Sequence, residues 1–369
     1  MKKNADRIFV ILFSVILIAN GYGIKNISLF LFMLFGLIAF IAIRHSKKGI
    51  VFPNGWIEYI VFLIVAGLSL VWSFDAARTL YYLVLFVDAG LIWIIFYNNK
   101  KFFSKFFDRL ILIFGLVLFA LYLYEVVLGR FRFDSLSLYL PSRLLNNHNH
   151  MGDLWVLSAI VSLDKIFSKK AKSIYLILVP VALYILYISH SRSAYLSLVA
   201  GVIYLAKINN YLVEKKALTA LFFVVVIVLF LLAGHNKTLL FSRPYFEQSI
   251  KGLLKFPYGI GLGNFGILSL TTLEGSKLLQ AYSSYTHNLF LELVSGIGVY
   301  SLVFVYWFWV VAKDIFRRSS RSNYLYKALF LALTVNFMFD YTYFIPTMLF
   351  LWFAFLGLAQ KISKASGKL

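Results

Sequence analysis

Apolar residues run along this chain in stretches of about 20, separated by short polar and basic segments. A helix needs about 20 mainly apolar residues to cross a bilayer core of about 30 Å. The pattern therefore predicts an all-α integral membrane protein, a single polytopic domain over residues 1–369 with about twelve transmembrane helices. The predicted spans lie near 8–24, 27–43, 57–73, 79–97, 107–128, 150–167, 174–189, 193–206, 217–233, 286–311, 325–340 and 344–360.

Composition supports this class and excludes several others. The chain is 61% hydrophobic and 14% charged, whereas soluble domains are about 45–50% apolar and about 25% charged. A soluble enzyme and a disordered chain are therefore excluded. With no cysteine, disulfides, thiolate metal sites and a cysteine nucleophile are excluded as well.

Basic residues are concentrated in alternate segments between the predicted spans. With the first segment inside, 25 of the 36 lysines and arginines fall in seven inner segments. These are 2–7, 44–48, 100–109, 165–172, 207–216, 313–327 and 361–368. Cytoplasmic loops carry this excess, so both termini are predicted to be cytoplasmic. The net charge of +21 then reflects membrane anchoring, and we expect no nucleic-acid partner.

The predicted outer side carries a different set of polar residues. It holds half of the twelve arginines and five of the six histidines. They are Arg78, Arg130, Arg132, Arg143, Arg192, Arg243, His148, His150, His190, His235 and His287. Arginine binds phosphate in a planar fork, and histidine exchanges a proton near neutral pH. We therefore expect the chemistry on this side, although we interpret Arg78 as an ordinary surface anchor.

A long outer loop over 234–285 lies between predicted spans nine and ten. After Arg243, an apolar pattern at helical spacing over 244–255 predicts an amphipathic helix at the outer interface. Arg243 is either an anion ligand at the start of this helix or a side chain that reaches lipid headgroups. The glycine-rich segment 257–266 follows, and without a Walker lysine we interpret it as a tight surface turn.

His287 lies where this loop enters predicted span ten. It is either a catalytic group or an interfacial hydrogen-bonding residue. Asn288 and Glu292 are close enough in sequence to orient it, since Glu292 is near one helical turn away. The rings of Tyr258, Tyr282 and Tyr285 suit either stacking on sugars or an interfacial aromatic belt.

Two further polar segments border predicted spans. Ser189–Tyr195 joins spans seven and eight, and a charge so near hydrocarbon makes Arg192 a functional candidate. The segment 146–153 opens span six and includes Asn149. Its two histidines at i and i+2 do not share a helix face, so we expect no metal there.

Taken in order, these motifs resemble the O-antigen ligase/polymerase family of multispanning bacterial glycosyltransferases. The set is Ser191-Arg192-Ser193-Ala194, Arg243, the segment 257–265 and His287-Asn288-Leu289-Phe290, with 146–149 and Gly152 upstream. The resemblance covers mainly residues 143–300. It departs from a ligase in its outer loop, which is compact for an enzyme that must hold a large lipid-A core.

The resemblance implies a GT-C-like architecture and a metal-independent, cofactor-free glycosyl transfer. The donor is a glycan on undecaprenyl pyrophosphate, with Arg192 and Arg243 binding the phosphates and His287 acting as general base. Possible acceptor or sugar contacts are Asn288, Glu292, Tyr258, Tyr282, Tyr285, Asn149 and Arg143.

The favoured function is polymerisation of lipid-linked repeat units into O-antigen, capsule or exopolysaccharide. It is placed at the outer face of the bacterial cytoplasmic membrane, among membrane lipids and with a chain-length regulator and a flippase as candidate partners. A ligase that moves finished glycan to lipid A core, a protein or another acceptor is the alternative. A Lys-, Asn- and Ile-rich composition hints at a host without lipid A and so favours the polymerase. A glycolipid flippase is a third reading, for which Asp88 is the clearest mid-span acid.

Overall fold

A computed structural model describes residues 27–45, 49–129, 148–168, 173–208, 227, 244–272, 282–317 and 323–361. Within these ranges the chain is helical and contains no strand. The α-helices are α1 (Ile27–His45), α2 (Trp56–Leu68), α3 (Ala76–Asn98), α4 (Lys100–Phe103), α5 (Phe107–Val127), α6 (His148–Phe167), α7 (Ser173–Ser189), α8 (Arg192–Ile208), α9 (Pro244–Lys255), α10 (Phe265–Thr272), α11 (Leu289–Ile297), α12 (Leu302–Arg317), α13 (Tyr324–Phe339) and α14 (Pro346–Ala359). Short 3₁₀ turns cover Ser69–Trp72, Gly298–Ser301 and Thr342–Phe344.

The predicted spans that fall on described residues coincide with helices. Three helical segments are long and apolar enough to cross a membrane by length and composition: Ala76–Asn98, Phe107–Val127 and Leu289–Arg317. Four shorter apolar segments accompany them: Trp56–Trp72, Ile174–Ser189, Tyr324–Phe339 and Pro346–Ala359. The fold is therefore consistent with a helical membrane protein. The predicted spans 8–24 and 217–233, apart from Ile227, lie outside the described residues.

Predicted span ten is not one continuous α-helix. It breaks at Gly298, whose φ of 60° lies in the left-handed region. A Cβ at Gly298 would lie 2.0 Å from the carbonyl oxygen of Pro257, so glycine is required for this approach. The break lies between α11 and the 3₁₀ turn Gly298–Ser301. It leaves α11 packed on the segment that begins at Pro257.

The core is built around α3, which packs closely against α14. A Cβ added at Gly357 would lie only 2.8 Å from the carbonyl oxygen of Trp93, so the two helix backbones nearly touch. Small residues at such crossings are typical of helix packing in membranes. Trp93, Trp307 and Phe353 fill the space beside this crossing with ring contacts of 5.6–6.4 Å.

The helix ends fall into two groups. Hydrogen bonds and ring contacts join the starts of α6, α8 and α11 to the end of α13, and we call this the site end. The ends of α3, α12 and α14 join at the opposite end. Each group contains only helix ends that the sequence pattern assigns to one side. The assignment of the site end to the outer side stays a prediction.

Candidate functional site

His287 lies at the site end, between the start of α11 and the end of α13. Asn288 is the N-cap of α11, where its side chain accepts a hydrogen bond from the N–H of Leu291. The Asn288 amide also donates to the carbonyl oxygen of Met338, 3.0 Å away. These two bonds fix His287, whose φ of 55° places it in the left-handed region.

The carboxylate beside His287 is Asp340, which the sequence analysis did not select. Asp340 directly follows α13, and its Oδ1 lies 3.6 Å from Nδ1 of His287. Asp340 is buried, and its Oδ1 accepts a hydrogen bond from the N–H of Tyr341 at 2.6 Å. The Asp340 carboxylate is thus held beside the imidazole, where it can orient the His287 ring.

Aromatic rings flank the His287 imidazole on two sides. Tyr245, in the first turn of α9, stacks on it with centroids 4.9 Å apart. Tyr341 meets its edge at 4.7 Å and also contacts the ring of His150 at 4.8 Å. Residues from the long loop and from the segment after α13 thus hold the His287 ring between two tyrosines.

A second carboxylate joins the cluster through two serines. The hydroxyls of Ser191 and Ser193, at the start of α8, lie 2.7 and 3.0 Å from Oδ1 of Asp153. Ser193 is also 3.3 Å from Oδ2 of Asp340, so it connects the two acids. Gly152 allows the close approach, because a Cβ there would lie 2.2 Å from Oγ of Ser189. The Ser-Arg-Ser motif therefore anchors α8 to the carboxylates.

Glu292 contacts a different set of groups from the one that we expected. Its Oε2 accepts hydrogen bonds from the N–H of Thr286 at 2.9 Å and from the hydroxyl of Tyr343 at 3.2 Å. Its Oε1 is buried and has no hydrogen-bond partner among the described residues. Asp340, and not Glu292, supplies the acid next to His287.

Arg78 is not an ordinary surface anchor, contrary to our interpretation of the sequence. Its half-buried guanidinium lies 5.5 Å from the ring centroid of Tyr285. Tyr285 in turn stacks on Tyr341 at 5.0 Å, and its hydroxyl is 3.0 Å from that of Tyr82. Arg78 is thus connected to the His287 cluster through two stacked tyrosines.

Four other proposed site residues are arginines or an asparagine near the starts of helices or outside the described residues. Arg192 is the first residue of α8 and is half-buried between the two serines that bind Asp153. Asn149, also half-buried, lies in the first turn of α6 next to His150. Arg243 and Arg143 lie outside the described residues.

The two remaining tyrosines are largely exposed. Tyr258 is 58% exposed, stacks on Tyr300, and its carbonyl oxygen accepts a bond from Trp72. Tyr282 is 47% exposed, with its hydroxyl 3.3 Å from Ser284. Neither contact involves the His287 cluster.

The glycine-rich segment is a tight turn, but it is buried rather than at the surface. Gly259, Gly261 and Gly263 have φ values of 80°, 92° and 72°. A Cβ at Gly261 would lie 2.2 Å from Oγ of Ser73, and the Asn264 amide donates to that same oxygen at 2.9 Å. The segment therefore packs the loop onto the turn before α3.

The predicted amphipathic helix is present as α9, Pro244–Lys255. Its buried face is formed by Gln248, Ser249 and Gly252. Ile250 and Leu254 are 56% and 81% exposed. The apolar face therefore points away from the protein, as expected for a helix that rests on lipid.

Comparison with family models, curated proteins and solved structures found no significant match for this chain. The assignment of this site therefore depends on the geometry of its residues alone. Its unexpected members, Asp340, Tyr341 and Tyr245, border apolar stretches and carry no motif of their own. The one signal in the sequence for Asp340 is an acid placed where a predicted span ends.

Proposed function

We propose that this protein is a glycosyltransferase of the bacterial cytoplasmic membrane that polymerises lipid-linked oligosaccharide repeat units. The donor is a glycan on undecaprenyl pyrophosphate, and the reaction takes place on the extracytoplasmic side. The observation that carries the proposal is the His287–Asp340 pair between Tyr245 and Tyr341. The outward-facing apolar residues of α9 support it, because they suit a site that takes its substrate from a bilayer.

His287 is the general base in this proposal. Its Nδ1 faces Asp340, which leaves Nε2 for a hydroxyl of the acceptor sugar. Nε2 takes the hydroxyl proton while the oxygen attacks the anomeric carbon of the donor. The bond from that carbon to the pyrophosphate oxygen breaks, and its electron pair leaves with the phosphate. Asp340 stabilises the imidazolium that forms, and attack from the opposite face inverts the anomeric centre.

Arginines neutralise the leaving pyrophosphate. Arg192 and Arg243 fill this role, and the contact of Arg78 with Tyr285 makes it a third candidate. A planar guanidinium binds two phosphate oxygens at once, which a lysine ammonium does not do. Arg243→Lys is therefore expected to impair transfer even though the charge is retained.

The decisive test is turnover by a His287→Asn protein. Asparagine suits this position better than alanine, because it tolerates the left-handed backbone that His287 adopts. Loss of a general base lowers the rate by about 10²- to 10⁴-fold. His190 is a matched control, since it is exposed and also has a left-handed φ of 52°.

The assay is transfer in vitro from a synthetic carrier-linked repeat, with donor binding measured separately. We expect His287→Asn to bind donor normally and to form almost no polymer, while His190→Asn behaves as wild type. Near-normal turnover by the His287→Asn protein would show that His287 is not the general base. Lost donor binding would instead make His287 a pyrophosphate ligand.

Deletion in the native host separates the polymerase from its alternatives. Single repeats left on the carrier identify a polymerase, and long carrier-linked chains that never reach an acceptor identify a ligase. Repeats retained on the cytoplasmic side identify a flippase. For that last function Asp88 is the residue to replace, as it is fully buried within α3.

A further inference from the structure

The end of the bundle opposite His287 holds a cluster of basic side chains. It comprises Lys100 at the start of α4, Lys327 in the first turn of α13, Lys361 after α14, and Asp314 in α12. We call these four residues the lysine cluster. Asp314 is the acid that acts on both Lys100 and Lys327. The cluster is therefore rich in positive charge, with one carboxylate among three lysines.

Hydrogen bonds hold the helix ends around this cluster in place. The Gln360 amide donates to Oδ2 of Asp314 at 3.3 Å and to the carbonyl oxygen of Asn54 at 3.0 Å. The indole of Trp93 donates to Oε1 of the same amide at 2.7 Å. The cluster thus lies on a scaffold whose geometry is set without the lysine ammonium groups.

Lys100 is the residue that this scaffold leaves unsatisfied. Its Nζ is buried, lies 4.9 Å from the ring centroid of Tyr97, and has no hydrogen-bond acceptor among the described residues. Burial is the main effect on Lys100 and lowers its pKa. Asp314 opposes this effect and Lys327 adds to it, and together they bring the pKa to about 7. A buried ammonium without an acceptor is costly, so the site favours an incoming anion.

We infer that the lysine cluster binds a phosphate-bearing anion through Nζ of Lys100. A phosphate offers several acceptor oxygens and a charge that offsets the excess of lysine. Helix ends that carry basic side chains at a membrane boundary suit either an anionic lipid headgroup or free phosphate. This inference does not depend on the proposed glycosyl transfer, because none of these residues belongs to the site end.

The test measures how anions raise the thermal unfolding midpoint of the full-length protein in detergent. Dioleoylphosphatidylglycerol is titrated against dioleoylphosphatidylcholine, and sodium phosphate against chloride at equal ionic strength. Wild type is compared with Lys100→Gln and with Lys101→Gln, an exposed neighbour on the same helix. Stabilisation by the lipid alone identifies a headgroup site, and stabilisation by phosphate as well identifies a site for the free anion.

Losing one charge-assisted hydrogen bond should raise the half-saturating anion concentration about tenfold in Lys100→Gln. Lys101→Gln should respond as wild type, and Lys100→Arg should retain most of the response. Equal responses of the two glutamine variants, or no anion effect on wild type, would overturn the inference. If Lys100→Gln does not fold, Lys361→Gln is measured in its place. An anion response of Lys361→Gln equal to that of Lys101→Gln would then overturn the inference.

Discussion

Replacing Asp340 with asparagine tests the chemistry of the site most sharply. The change removes one negative charge and keeps the size of the side chain. Oδ1 of Asp340 lies 3.6 Å from Nδ1 of His287, and Ser193 and the N–H of Tyr341 contact the same carboxylate. When His287 accepts a proton, its new charge therefore develops directly beside this acid.

The distance sets the size of the expected effect. Two unit charges 3.6 Å apart attract by about 5 kcal/mol at an effective dielectric constant of about 20. If half of the imidazolium charge has formed in the transition state, about 2 kcal/mol of stabilisation is lost. Each 1.4 kcal/mol corresponds to about a tenfold change in rate, so Asp340→Asn should slow transfer about 30-fold.

The assay is single-turnover transfer with a carrier-linked repeat, combined with donor binding and a thermal unfolding midpoint. Asp108→Asn is the control, because Asp108 pairs with Lys165 in an ion pair that lies outside the site. We expect slow transfer and normal donor binding for Asp340→Asn alone. A rate within about threefold of wild type, in a protein that unfolds at the normal temperature, would refute a role for Asp340 in proton transfer.

Three further predictions follow from the geometry. Arg78→Lys should weaken donor or acceptor binding, measured as a rise in KM, because lysine loses the planar contact with the ring of Tyr285. An unchanged KM would mean that Arg78 is only a surface anchor. Gly263→Ala should destabilise the protein by about 1–3 kcal/mol, since its Cβ would lie 2.1 Å from a tyrosine ring. Gly36→Ala lies inside α1 with open space around it, so it should not lower the unfolding midpoint. Because the chain has no cysteine, Lys255→Cys in intact cells should react with an impermeant maleimide and Lys101→Cys should not; the reverse pattern would invert the predicted topology.

The helices could be predicted from the sequence because their signals are local. An apolar stretch of membrane length specifies a helix without reference to the rest of the chain. The same holds for α9, where Pro244 at the first turn and Pro257 after the apolar pattern indicated the two ends. The break at Gly298 was missed, because it depends on the carbonyl oxygen of Pro257, about 40 positions away in the chain.

The partners of His287 could be predicted only in part. Glu292 was expected beside it on the basis of helical spacing, but α11 begins after Asn288 and His287 has a left-handed backbone. Helical spacing does not apply across such a residue. Asp340 and Arg78 reach the cluster through the packing of α13 and α3, which no local pattern encodes.

The separation of Asp340 from His287 along the chain has a consequence for biosynthesis. About 50 residues separate it from His287, which corresponds to roughly three to ten seconds of translation. A nascent or truncated chain that ends within this interval carries the histidine and the glycine-rich loop without the acid. In the proposed mechanism, such a chain lacks the carboxylate that supports proton transfer by His287. Under the proposed function, efficient transfer therefore begins only after α13 has been made and Asp340 lies beside His287.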